Sequence, residues 1–126
     1  MEKAITALIN KVKKDKKILA VAFFGSYARK EKNKDIDICL FLFPGKYSLK
    51  EISKIKLKYS FENEKYDLQI FQGLPIYIKK RILKDAKFIY VREEDLLYDL
   101  SFYTLKEYSH FKYIYEDYLQ GVMENG

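Results

Sequence analysis

Phe23-Phe24-Gly25-Ser26-Tyr27-Ala28-Arg29-Lys30-Glu31-Lys32-Asn33-Lys34-Asp35-Ile36-Asp37-Ile38-Cys39-Leu40-Phe41-Leu42-Phe43 is the stretch on which the reading of this chain turns. The residues leading into it, Ile18 to Phe24, are apolar and β-prone, and so are those from Ile36 to Phe43. Gly25-Ser26 therefore marks the end of one strand, and Asp35 and Asp37 the start of the next. Side chains alternate across a strand, so Asp35 and Asp37 share one face while Ile36, Ile38, Leu40 and Leu42 take the other. Two carboxylates held this close repel each other and raise each other's pKa unless a cation lies between them. Hard divalent ions such as Mg2+ are held by one or two carboxylates together with substrate phosphates. The pattern predicts a metal–phosphate site at a sheet edge.

Outward from this stretch, residues 2–15 read as an amphipathic helix carrying Ile5, Leu8, Ile9 and Val12. Gly25-Ser26 opens a short helix or loop through Arg29 to Lys34, and Pro44-Gly45 stops the second strand. Ser48 is an N-cap with Glu51 at the capping-box position, opening a helix with Leu49, Ile52, Ile55 and Leu57. Residues 66–71 alternate as a third strand, with Tyr66, Leu68 and Ile70 on one face and Asp67, Gln69 and Phe71 on the other. Pro75 starts a further helix to about Lys84, and Lys87 to Val91 is a fourth strand. From Glu93 to about Val122 the chain is helical, with a stripe through Leu97, Leu100, Thr104, Tyr108, Phe111, Tyr115, Tyr118 and Val122. The alternation of helices and strands predicts an α/β (α+β) fold, a small sheet with flanking helices and a long C-terminal helix.

Asp67 adds a third carboxylate at the start of its own strand, and an adjacent strand would bring it beside Asp35 and Asp37. Three carboxylates can hold one or two Mg2+ ions, which align an attacking oxygen and neutralise triphosphate charge. The Gly25-Ser26 turn offers backbone N–H groups and a hydroxyl to phosphate oxygens. Together these parts suit nucleotidyl transfer from a nucleoside triphosphate.

Gly25-Ser26-Tyr27-Ala28-Arg29 followed by Asp35-Ile36-Asp37-Ile38 resembles the G-S-x-A-R-G…S-D-x-D-L signature of the minimal nucleotidyltransferases, in the DNA polymerase β-like superfamily. Tyr66-Asp67-Leu68-Gln69-Ile70 and the stretch from Leu74-Pro75 to Glu93-Glu94 are similar to the strand–helix–strand tail of these proteins, and Glu107 to Tyr118 to their aromatic C-terminal helix. The resemblance implies a polymerase β-like fold over residues 1–126 as a single domain. It implies Asp35, Asp37 and Asp67 as catalytic Mg2+ ligands, with Asp67 activating the acceptor hydroxyl. Gly25 and Ser26 would hold the phosphates of ATP, with Arg29 near the nucleotide or bracing the turn.

Small members of the family pair with HEPN ribonuclease toxins as antitoxins and can transfer AMP to a toxin tyrosine. The resemblance makes a HEPN toxin the implied partner. The alternatives are an antitoxin of the same fold that masks its toxin without chemistry, and a small-molecule nucleotidyltransferase. Lys30 and Lys34 depart from the signature's glycine and serine, and the loop from Ser26 to Asp35 is about two residues shorter than is common in the family.

The composition narrows the field further. The 126 residues match the size of one domain, and 48% apolar and 17% aromatic content is that of a packed protein. The net charge of +6 rests on 24 basic residues, of which only Arg29, Arg81 and Arg92 are arginines, with the lysines interleaved among acids. That pattern argues for solubility rather than direct nucleic-acid recognition, which concentrates arginine on one surface. A lone cysteine, Cys39, within an apolar strand suits a reducing cytoplasm. No apolar run approaches the roughly 20 residues that cross a bilayer. His110, without a His or Cys partner, reads as a partly exposed helix residue. Tyr98, Tyr103, Tyr108, Tyr113 and Tyr118 recur every five residues, a net turn of about 140° each. Some of them must face away from the chain's own core, towards solvent or a protein partner.

Overall fold

The computed structural model describes residues 3–25 and 35–125. In chain order these form α1 (Lys3–Lys13), β1 (Ile18–Phe24), β2 (Ile36–Leu42), α2 (Leu49–Tyr59), β3 (Tyr66–Ile70), a 3-10 turn (Phe71–Gly73), α3 (Ile76–Asp85), β4 (Lys87–Val91) and α4 (Glu94–Asn125). The segment expected as a short helix or loop after Gly25-Ser26 lies outside the described residues.

The four strands make one mixed sheet in the order β3-β2-β1-β4. β1 pairs antiparallel with both β2 and β4, whereas β2 and β3 run parallel. Parallel neighbours need a crossover connection, and α2 provides it. β1 is buried along its first five residues because both faces of the sheet are covered, so its sequence is a continuous apolar run rather than an alternation.

One face packs Val21, Ile38, Leu40 and Leu68 against Ile5, Leu8 and Val12 of α1 and Ile52, Ile55 and Tyr59 of α2. The other packs Ala20, Ala22, Cys39 and Phe41 against Ile78 and Ile82 of α3 and Leu96, Leu97 and Leu100 of α4. Phe41 and Phe71 stack at 4.5 Å in this second layer. Asp37 alternates with Cys39 and Phe41 and so belongs to the α3 side of the sheet.

The cap expected at Ser48 is present: its Oγ accepts from the Glu51 N–H at 3.1 Å and donates to Glu51 Oε1 at 3.2 Å. Leu49 and Leu57 of α2 are exposed, since the inward stripe of that helix is Ile52, Ile55 and Tyr59. Leu57 lies about 200° round the helix from Ile55. β3 ends at Ile70, because the 3-10 turn begins at Phe71. The last helix starts at Glu94 and continues to Asn125, three residues beyond the expected end.

A network that spacing does not suggest ties α1 to the sheet. Arg92, just past β4, donates through Nε to the Ile18 carbonyl and through Nη2 to those of Val12, Lys13 and Asp15, at 2.9–3.1 Å. These include the last carbonyls of α1, which have no partner within the helix. Beside them Asp15 Oδ2 accepts from the Tyr59 hydroxyl at 2.5 Å and pairs with Lys58 at 3.2 Å. Burial works to raise the Asp15 pKa, but these partners and the Lys17 N–H hold it below the ordinary value. Replacing Arg92 by alanine removes four hydrogen bonds at once. We expect Arg92→Ala to lose about 2–3 kcal/mol in urea unfolding, with little change in any activity at the far end of the sheet.

Candidate active site

β1 delivers Gly25 and β2 delivers Asp37 to the same place, because Phe24 is the register partner of Asp37 across the antiparallel pair. Gly25 has φ +70°, a left-handed conformation that glycine adopts without steric cost. A Cβ on Gly25 would stand 2.6 Å from Asp37 Oδ2. The turn glycine thus serves a close approach between backbone and carboxylate as well as a φ value.

On the other side of β2, the parallel register sets Asp67 of β3 directly beside Asp37. Asp35 immediately precedes β2 and is exposed, as is Asp67; Asp37 is half-buried. Burial raises the pKa of Asp37, and the charges of Asp67 and Asp35 raise it further. Strand adjacency thus brings Asp67 to Asp37, while Asp35 stands just outside the strand and acts on Asp37 through its charge. Gln69 Nε2 lies 3.4 Å from Asp67 Oδ2. Ser26 and Arg29, expected at the nucleotide, lie outside the described residues.

Among the described residues no three carboxylate, imidazole or thiol groups are already gathered into a metal cluster. The donor chemistry nonetheless fits a hard divalent cation: the candidate ligands are oxygens only, and mutual repulsion at Asp37 is what such an ion relieves.

Two other titratable residues are placed elsewhere. Cys39 is fully buried and its thiol is pushed strongly upward, as expected of an inert strand residue. His110 is exposed on α4. α3 supplies two polar residues that no sequence motif singles out. Arg81 and Asp85 line a cleft of about 320 Å3 with Gly25 and Asp37. Their spacing of four places them on one helix face, a signal that becomes specific only once β2 is known to lie opposite.

Known proteins share parts of this chain's sequence and its fold. A Methanocaldococcus jannaschii protein named as a putative protein adenylyltransferase is 38% identical over 82 residues, covering 64% of this chain and 62% of that protein. The chain thus matches about three fifths of that relative's length. Among solved structures, a chain from a toxin–antitoxin crystal structure with AMP-PNP superposes with a TM-score of 0.64 at 18% identity, over 95% of this chain and 96% of that one. A chain from the complex of tri-AMPylated Shewanella oneidensis HEPN toxin with MNT antitoxin gives 0.61 at 18%, over 94% and 98%. The structure of a Sulfolobus solfataricus protein named as a putative nucleotidyltransferase gives 0.53 at 20%, over 73% and 81%. At these identities the structural likeness is one of fold. The model of the polymerase beta nucleotidyltransferase family matches residues 6–95, which span β1, β2 and β3 with all three aspartates, and the chain belongs to that family.

Proposed function

We propose that this chain, as one domain, is an Mg2+-dependent nucleotidyltransferase that moves AMP from ATP to a protein hydroxyl. Its proposed acceptor is a tyrosine of a HEPN toxin, which it silences as a cytoplasmic antitoxin. The observation that carries the reading is the in-register pair Asp37 and Asp67 beside the left-handed Gly25. Asp35, Asp37 and Asp67 are the metal ligands in this reading, and bound Mg2+ supplies charge neutralisation at the triphosphate.

The chain's own residues do the rest. Gly25 and Ser26 grip phosphate oxygens, with Arg29 at or behind the turn. Asp67, exposed on β3, accepts the proton of the incoming hydroxyl as its oxygen bonds to the α-phosphorus. The bond from that phosphorus to the bridging oxygen breaks, and pyrophosphate leaves. Exposure of Asp67 and Asp35 suits an acceptor presented on a macromolecule rather than one enclosed in a pocket.

The docking surface of this reading is the far half of α4. The helix has 32 residues, about 48 Å. Its stripe is buried at Leu97 and Thr104 and then emerges: Phe111 is 42% exposed, Tyr115 52% and Tyr118 66%. An apolar, tyrosine-rich face of this length is what a protein partner covers. It also favours a second reading, in which the chain masks its partner without chemistry. No described helix is long and apolar enough to cross a membrane.

Incubating the chain with the product of its neighbouring gene, ATP and Mg2+, then weighing the partner by mass spectrometry, separates the two readings. AMP transfer adds one or more adenylyl units. A tight complex that gains no mass with any nucleoside triphosphate leaves only the masking role.

A further inference from the structure

Arginine is rare in this chain, at three of 24 basic residues, so lysine is its default cation. Arg92 shows what the exception serves: its planar fork reaches four backbone carbonyls, a task that a point charge on a flexible stem performs poorly. Arg29 belongs to the signature. Arg81 has neither role; it lines the cleft with Gly25 and Asp37.

The layout of that cleft gives it a direction. β2 lies between β3 and β1. On the β3 side Asp37 neighbours Asp67, the proposed proton acceptor. On the β1 side it neighbours Gly25, and there the cleft opens towards α3. Displacement at phosphorus places the entering and leaving oxygens roughly in line. An acceptor entering over Asp67 therefore sends the leaving group towards Gly25 and α3. Ile78 and Ile82, packed on the sheet's α3 face, anchor the helix that carries Arg81 there. Asp37 and Asp85 are the other charged residues lining the cleft, and Arg81 is the cation among the described lining residues.

We infer that Arg81 binds the β- and γ-phosphates of the nucleotide and holds the departing pyrophosphate through its guanidinium fork. The inference rests on the nucleotidyl-transfer reading and adds to it a substrate-contacting residue outside the signature stretch. Guanidinium and phosphate pair in bidentate geometry, and a lysine at the same place keeps the charge but not the fork.

Calorimetric titration with ATP, AMP and inorganic pyrophosphate, each in Mg2+, tests this on the full chain without any acceptor. Arg81 is exposed and arginine and alanine are both good helix formers, so Arg81→Ala keeps the fold, checked by circular dichroism. The expected result is about 10- to 100-fold weaker binding of ATP and pyrophosphate, with AMP nearly unchanged and Arg81→Lys intermediate. In the transfer assay the same variant raises the KM for ATP and leaves that for the acceptor protein as it was. Equal binding of ATP by wild type and Arg81→Ala overturns the inference while leaving nucleotidyl transfer standing. Equal losses for ATP and AMP overturn the assignment to the leaving phosphates. A wild-type chain that binds no nucleoside triphosphate overturns both the inference and the reading beneath it.

Discussion

Asp37→Asn is expected to abolish AMP transfer, by about 1000-fold or more, and at the same time to raise the melting temperature of the metal-free protein. The two effects share one cause. Burial and the charges of Asp67 and Asp35 raise the pKa of Asp37, so the fold disfavours its ionised form. A carboxyl whose folded pKa lies above its unfolded value destabilises the native state at neutral pH, and the penalty fades as pH falls through the folded value. Asparagine is nearly isosteric and carries no charge, so it removes the penalty together with the metal ligand.

Thermal unfolding in a chelator at pH 7 should show a rise in melting temperature over wild type. The gain shrinks in acid, where wild-type Asp37 is protonated, and shrinks in excess Mg2+, which stabilises only a chain that binds it. A variant that is inactive and also less stable than wild type in chelator would mean that Asp37 is held by favourable native contacts rather than by repulsion.

Local signals account for most of what sequence can foresee. The Ser48–Glu51 cap rests on residues three apart, and the partition of Asp35 and Asp37 from Ile36 and Ile38 rests on strand alternation alone. The meeting of Asp37 and Asp67 needs one further step, that β2 and β3 adjoin, and a helix joining two strands makes that the economical arrangement.

What local signals miss has a common cause too. The acceptors of Arg92 lie 74 to 80 residues earlier in the chain, and no local pattern predicts a cation that serves helix-end carbonyls from so far away. Arg81 looks like any charged residue on an amphipathic helix until Gly25 and Asp37 are known to face it. Leu49 and Leu57 are apolar enough for a core, but the 100° step of the helix turns the inward stripe to Ile52, Ile55 and Tyr59. On α4 the stripe is continuous in sequence and discontinuous in burial, because α3 and the sheet end before the helix does.

Gly25→Ala is the substitution expected to damage fold and site together. At φ +70° an L-residue costs about 1–2 kcal/mol, and the added Cβ also meets Asp37 Oδ2 at 2.6 Å. That atom is a carboxylate oxygen on a central strand, so relief requires Asp37 to rotate away or the turn to open. Either movement separates the phosphate turn from the carboxylate. The expected outcome is loss of about 1–3 kcal/mol in denaturant unfolding and at least a roughly 100-fold fall in transfer.

Gly121 supplies the matched control. It lies within α4, far from the turn, so Gly121→Ala should gain up to about 1 kcal/mol from helix propensity and leave ATP binding in Mg2+ unchanged. Repeating Gly25→Ala in an Asp37→Ala background divides the two costs. The part due to φ persists, and the part due to the carboxylate disappears. If the penalty is undiminished in that background, Gly25 serves the turn alone, and the close approach of turn and carboxylate is incidental to the site.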